Sequence, residues 1–223
     1  MINISEDVRR LYPGIQFGSL VVKGLGKSTN KEAFTELKKE EISELIINYK
    51  DYERNKFINT EPMMQYRNYY KKYNKTYHLL LQLESVVLKG RSVPDAGAFV
   101  EAMFLAELKD LILTAGHDMD ALSTPLNLKI AKGGESFTGI SGQVQALSEN
   151  DLYLEDQLGI LSSIINGPDD RTRISSKTKR VMYFAYGVQN ITRQQIMQHL
   201  NRIKDYLAIY APDASFEDIM IWE

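Results

Sequence analysis

The chain has 223 residues, 43% of them hydrophobic and 25% charged, with a formal net charge of −2. That composition is ordinary for a globular protein and leaves ample apolar material for a core. The lack of cysteine excludes disulfides, thiolate metal sites and cysteine nucleophiles, and the lack of a basic excess confines any nucleic-acid contact to a local patch.

Met1 to Asp7 carry neither the basic start nor the apolar stretch of a signal peptide. No apolar run approaches the length of a membrane span, so a cytoplasmic location is expected. Phe17 to Leu25 reads as a strand, with β-prone Leu20, Val21 and Val22 bounded by Gly24 and Gly26. Ser28, Thr29 or Asn30 can cap a helix from Lys31 to about Tyr49, with Phe34, Leu37, Ile42, Leu45 and Ile46 near helical spacing. Its Lys38, Lys39, Glu40 and Glu41 read as a solvated face. Gly24-Leu25-Gly26-Lys27-Ser28 resembles the end of a phosphate loop, but Val21 stands where the first glycine is required.

Glu61 to Tyr73 reads as a second helix with Pro62 in its first turn. A third runs from a Thr76 cap to Lys89 and ends at Gly90. A fourth, Gly97 to about Leu113, is apolar nearly all round and is expected to be buried. Strands follow over Leu126 to Ile130, Val144 to Leu147, Leu152 to Leu154, Ile160 to Ile165 and Val181 to Tyr186. Thr192 caps a final helix with Ile196, Leu200, Ile203 and Leu207 on one stripe. Helices first and strands later predict an α+β (mixed α/β) fold rather than a doubly wound sheet.

Three histidines are present. His199 reads as a surface residue, and His78 has no evident partner. His117 falls in Gly116-His117-Asp118-Met119-Asp120, read as a loop at an element boundary, where functional groups often lie. The alternative there is a turn in which Asp118 or Asp120 bonds the backbone. A two-His or His–carboxylate metal site is a further alternative there, but the spacing matches no strong metal motif. Glu135, after Gly133-Gly134, reads as a solvated hairpin residue rather than an acid or base. Glu101 and Glu107 interrupt the apolar helix; they either line a pocket that reads an α-amino group or reach water at its rim. In Asp169-Asp170-Arg171-Thr172-Arg173 the arginines either meet an anion or pair with the neighbouring aspartates. No serine-nucleophile elbow surrounds Ser175, Ser176 or Thr178. From Tyr66 to Tyr77 aromatics interleave with Arg67, Lys71, Lys72 and Lys75. That run is either an RNA contact, with tyrosines stacking on bases, or a helix that buries its tyrosine face.

The order of five segments carries a resemblance: Lys89-Gly90-Arg91 before Val93-Pro94, Val100-Glu101-Ala102 to Leu108, Gly116-His117-Asp118, Gly134-Glu135-Ser136-Phe137, and Asp170-Arg171-Thr172 with Thr178. In that order they resemble free-standing B3/B4 domains, relatives of the editing domain in the β subunit of phenylalanyl-tRNA synthetase. The resemblance runs from about Phe17 to about Tyr210. It implies one domain over 1–223, with residues 1–60 as its N-terminal strand–helix portion, and a β/β/α-type sheet core flanked by helices. It implies an aminoacyl-tRNA deacylase that trans-edits a misacylated tRNA ester, or a non-catalytic module that binds tRNA or an aminoacyl ligand. No cofactor or metal is implied, and the oligomeric state stays open. His117, Glu101 and Glu107 would be the catalytic helpers. Arg91, Asp118, Glu135, Arg171 and Thr172 would bind substrate, with the N–H groups of Asn166 and Gly167 facing the oxyanion. Arg67, Lys71, Lys72 and Lys75 would meet the tRNA. The synthetase's pocket histidine falls near Ala115, a family asparagine at Phe104, and the glutamate that senses the tyrosine hydroxyl near Tyr183 or Phe184. Without that polar reader, tyrosine and phenylalanine are not told apart in the same way.

Overall fold

The computed structural model describes residues 2–24, 29–93 and 95–223. The end of the first predicted strand, the Lys27-Ser28 phosphate-loop likeness and Pro94 lie outside them. The elements run β1 (Ile2–Ile4), α1 (Glu6–Leu11), β2 (Phe17–Lys23), α2 (Lys31–Asn48), α3 (Arg54–Phe57), α4 (Met63–Lys71), α5 (His78–Val87) and α6 (Ala98–Asp110). After these come β3 (Leu113–Asp118), a 3₁₀ turn (Met119–Ala121), β4 (Leu126–Ile130), β5 (Ser136–Thr138), β6 (Val144–Ala146), β7 (Leu152–Asp156), β8 (Gly159–Ser163) and β9 (Gly167–Pro168). The chain closes with β10 (Arg180–Tyr186), α7 (Arg193–Tyr210), β11 (Ser215–Phe216) and β12 (Met220–Trp222). The fold is α+β, as the order of helices and strands predicts.

Two sheets organise these strands. One has the order β1-β4-β7-β8-β9, and the other β11-β2-β10-β3 with β12 also on β2. β5 and β6 form a separate hairpin. β10 is paired on both sides, with β2 and β3, and is buried from Val181 to Tyr186. That explains its unbroken apolar run. α7 lies on this second sheet at Gly18, where an added Cβ would sit 2.4 Å from Ile196 Cγ2 and 2.7 Å from Leu200 Cδ1. The stripe of α7 therefore meets backbone directly. Its N-terminus is a full capping box between Thr192 and Gln195.

Two predicted boundaries change. α6 stops at Asp110, because Leu111 turns into the left-handed region with φ 57° and donates its N–H to Glu107 O at 2.8 Å. The stretch read as a loop around His117 is instead β3. Gly116 is no turn there: its missing Cβ makes room for Ile174, whose Cδ1 would lie 2.7 Å from it. The face of α2 read as solvated is not wholly so. Lys38 pairs with buried Glu101, and half-buried Glu41 pairs with Lys109 at 2.6 Å.

The tyrosines of α4 and α5 join the helices to both sheets. The Tyr66 hydroxyl donates to Tyr186 O on β10 and accepts the Leu113 N–H at 3.2 Å. Tyr70 donates to Ile164 O at 2.7 Å, Tyr77 to Leu111 O at 3.1 Å, and Tyr69 to the Asp151 carboxylate at 2.8 Å. All four rings are buried, and burial pushes their phenols well up from the usual range. They stay neutral donors. Replacing Tyr66→Phe keeps the ring but strands the Tyr186 carbonyl and the Leu113 N–H. The expected cost is about 1–3 kcal/mol in urea unfolding with an unchanged m-value; a variant as stable as the parent would show that this anchor carries no weight.

Candidate functional site

A cavity of about 800 Å³ opens at the N-terminus of α6. One wall is the first turn of that helix. Gly97 precedes it with φ 86° and ψ 148°, a conformation open to glycine and costly for other residues. Val100 and Glu101 donate their N–H groups to Gly97 O, which leaves those of Ala98 and Phe99 without a partner inside the helix. The Tyr183 hydroxyl, rising from β10, donates to Phe99 O at 2.9 Å and holds that turn on the sheet.

The opposite wall is the loop 174–179. Thr178 N–H donates to Ser175 O at 3.1 Å, Ser175 N–H to Thr178 Oγ1 at 3.0 Å, and Lys177 N–H to Ser175 Oγ at 3.2 Å. The Thr178 hydroxyl donates to Asp118 Oδ2 at 2.6 Å, tying the loop to the end of β3. Lys177 and Lys179 line the rim, and Phe99, Ile174 and Tyr210 give the cavity its apolar sides. A smaller cavity of about 280 Å³ adjoins it, sharing Gly97, Ala98 and Tyr210. Lys31, Lys38 and Glu101 line that extension. The larger cavity has two cations, four hydroxyl side chains from Ser175, Ser176, Thr178 and Tyr210, and no carboxylate among its lining residues. Free N–H groups at a helix start, cations and an aromatic wall suit an anionic or carbonyl-bearing ligand with one planar group.

The expected catalytic residues lie elsewhere. His117 has no exposed surface; its Nδ1 meets Thr172 Oγ1 at 2.8 Å and its Nε2 meets Ser162 Oγ at 3.2 Å. Thr172 donates to Asp169, and Ser162 meets the Tyr186 hydroxyl at 2.8 Å. Burial, reinforced by the nearby Arg171, lowers the His117 ring to about 4. It is a neutral structural histidine with both nitrogens occupied, not a catalytic helper. His199, read as a surface residue, is also fully buried, between Thr114 Oγ1 at 2.6 Å and Asp110 Oδ2 at 3.2 Å. That Asp–His–Thr line imitates a hydrolase triad, but it clamps α7 to α6 and β3 out of reach of solvent. His78 meets the Tyr70 hydroxyl at 3.2 Å, and burial lowers it to about 4.

Glu101 is buried, accepts the Gly97 N–H at 3.1 Å and pairs with Lys38. It shapes the extension of the cleft with both oxygens engaged. Glu107 is buried away from the cleft, where its Oε1 accepts the Thr114 N–H at 2.8 Å. Burial pushes its carboxyl up to about 8.

The expected substrate-binding set also divides. Asp118 backs the cleft through Thr178. Thr172 is buried against His117. Arg171 is spent on Asp156 at 2.9 Å and Ala121 O at 2.7 Å, and Arg173 on Asp170 at 3.0 Å, so the internal-pair alternative describes this loop. Glu135 accepts the Lys132 N–H at 2.8 Å, a bond that holds its carboxyl below the usual range in an exposed turn. The Asn166 N–H donates to Ser163 Oγ at 3.0 Å, and Gly167 sits in β9 paired with β8, so neither backbone N–H belongs to the α6 cleft. Arg91 is exposed just beyond α5 and does not line the cleft. In the proposed tRNA patch, Tyr66, Tyr69, Tyr70 and Tyr77 are core and cannot stack on bases. Lys72 lies 5.1 Å from the Tyr12 ring centroid, whereas Arg67, Lys71 and Lys75 line a different cavity. The cleft's own Phe99, Lys177 and Tyr210 were not singled out by sequence. The signal available was Ser175-Ser176-Lys177-Thr178 directly after the Asp–Arg cluster.

Fold and cleft together define an α+β protein with a cation-rimmed pocket at a helix start. Among solved structures it is similar to an N-terminal fragment of the phenylalanyl-tRNA synthetase β subunit from Pyrococcus horikoshii, with a TM-score of 0.51 and 14% identity over 97% of this chain. This chain spans 50% of that fragment. At that identity the likeness is one of fold. No family model matches the chain, and no curated protein matches it. No helix among the described residues is long and apolar enough to cross a membrane.

The burial of Glu107 has a testable consequence. An unperturbed glutamic acid ionises near 4.5 and folded Glu107 near about 8, so the wild-type protein loses stability as pH rises through that window. Glu107→Gln keeps an acceptor for Thr114 and cannot ionise. Relative to wild type it gains on the order of 1–3 kcal/mol between about pH 5 and about pH 8, read from urea unfolding. Parallel pH profiles of the two proteins would refute a buried, protonated Glu107.

Proposed function

We propose that this protein is a B3/B4-type domain that acts on aminoacyl-tRNA, hydrolysing a misacylated ester in the cleft at the start of α6. The observation that carries this reading is the cleft itself: the first turn of α6, whose Ala98 and Phe99 N–H groups have no partner inside the helix, lines one cavity with Lys177, Lys179 and an aromatic wall. The likeness of fold to the synthetase fragment supports the choice of an aminoacyl ester among carbonyl ligands. In this scheme the ester carbonyl lies against the Ala98 and Phe99 N–H groups, which stabilise the oxyanion as the tetrahedral intermediate forms. The terminal adenine lies against Phe99 or Tyr210, and Lys177 or Lys179 meets a phosphate. Water attacks the ester carbon, and the tRNA hydroxyl leaves with a proton. The tRNA's neighbouring hydroxyl helps to place that water, so the protein supplies position and charge rather than a nucleophile.

A second reading is a binding module that holds tRNA or an aminoacyl ligand without turnover. One observation favours it: neither a histidine nor an unpaired carboxylate lines the larger cavity. A panel of cognate and mischarged aminoacyl-tRNAs separates the two. Hydrolysis of one or two mischarged esters is expected, and Lys177→Ala should lower it about tenfold or more, the worth of one charge-assisted hydrogen bond. Intact esters with measurable tRNA binding would select the module. Intact esters without binding would end both readings.

A further inference from the structure

We propose that a second cleft, framed by α3, α4 and α5, is a binding site for a phosphate ester. Its cavity is about 210 Å³, separate from the α6 cleft. Arg54 from α3, Arg67 and Lys71 from α4, and Lys75 from the following turn all line it, and no acidic residue does. Met63, Tyr77 and Leu80 supply an apolar floor. On α4 the lining positions recur every fourth residue, Met63, Arg67 and Lys71, so one helix face points its cations into the cavity.

Three of these four charges have no ion pair among the described residues. Arg67 donates to the neutral Asn59 side chain at 3.3 Å and Lys75 to the neutral Asn166 side chain at 3.1 Å. Lys71 meets no acceptor among the described residues. Only Arg54 meets a carboxylate, Glu84 at 3.4 Å, and that oxygen already accepts the Tyr52 hydroxyl at 2.6 Å. Four surface cations elsewhere pair locally: Arg10 with Asp7, Lys39 with Glu36, Lys56 with Glu53, Arg173 with Asp170. Acidic residues outnumber basic ones, 29 to 27, so four cations around one small acid-free cavity are a local departure.

Arg67 and Lys71, one helical turn apart, repel each other in the empty cleft. A bound dianion reverses the sign of that interaction. A phosphate fits the donors present, since the planar forks of Arg54 and Arg67 take its oxygens in pairs while Lys71 and Lys75 act as point charges. The Tyr77 hydroxyl in the floor is spent on Leu111 O at 3.1 Å, so the floor suits the carbon side of an ester rather than a fully hydrated ion. The ligand is therefore a phosphate ester, either the monoester of a nucleotide or the diester of an RNA strand. Lys72 is not part of the site, because it sits over the Tyr12 and Tyr69 rings. The inference stands on this cleft alone; under the RNA reading above, it seats a phosphate apart from the reacting ester.

Fluorescence anisotropy tests it with a labelled single-stranded RNA, and competition tests it with 5′-AMP. Neither probe carries an aminoacyl ester, so the result does not depend on whether the α6 cleft hydrolyses anything. Arg67→Glu and Lys71→Glu should each weaken binding about tenfold or more. Lys39→Glu makes the same charge change on α2, outside both clefts, and should stay within about twofold of wild type. Binding of both probes that Arg67→Glu and Lys71→Glu weaken would support a site that recognises the phosphate group itself, such binding of RNA alone would support the diester of a strand, and binding that neither variant weakens overturns the proposal. No binding of either probe overturns the proposal. So does equal weakening by Lys39→Glu, which would reduce the effect to overall charge. Unchanged thermal unfolding of these exposed-site variants confirms that they fold.

Discussion

The two sheets share one apolar core, but a line of buried hydroxyls crosses it from sheet to sheet, and the rest of the structure depends on that seam. Tyr66 reaches the backbone of β10, while Tyr69 reaches Asp151 just before β7 and Tyr70 reaches Ile164 just after β8. Tyr186 and Ser162 cross from one sheet to the other, and His117 continues the line to Thr172 and Asp169. A buried hydroxyl or ring nitrogen without a partner costs more than a satisfied one gains. The seam therefore favours one relative placement of the sheets, where apolar contact alone would tolerate sliding.

That seam also decides what is left for chemistry. It takes up His117, Thr172 and Asp169, and the α7 clamp takes up His199, Asp110 and Thr114. His78 is held against Tyr70. With all three histidines engaged and lowered or buried, general-base chemistry has no free imidazole. What the fold does leave open is backbone at the start of α6, the hydroxyl loop from Ser175 to Thr178, and cations. Acyl transfer is compatible with such a set, because its largest demand is a fixed place for the oxyanion.

Helices with a one-sided pattern were legible in sequence. The stripe of α7 and its Thr192 cap appear as read, and the apolar run of β10 is a doubly paired strand. β3 was not legible, because Leu-Thr-Ala-Gly-His-Asp has no alternation and a glycine at its centre. Its strand character comes from β10 on one edge and from Ile174 filling the place of a Gly116 side chain. The tyrosine run left two alternatives open, since spacing cannot say which side of a helix meets a sheet. His199 looked exposed because Asp110 and Thr114, its partners, are 89 and 85 residues away. The α6 cleft shares that difficulty: Phe99, Lys177 and Tyr210 meet only after folding.

The distribution of charge links the two clefts. A chain with a formal net charge of −2 repels polyanions at long range. Binding then depends on places where cations are left without local acids. Some surface cations are neutralised by an acid three residues away, as Lys39 is by Glu36 and Lys56 by Glu53. Cations without a paired acid line both cavities: Lys177 and Lys179 at the start of α6, and Arg67, Lys71 and Lys75 beside α4. Each cavity has an apolar wall of low polarisability beside its charges, which strengthens their field inside relative to open water. An extended ligand with anionic groups at intervals and a planar group at one end can use both features, and a small isolated anion can use only one.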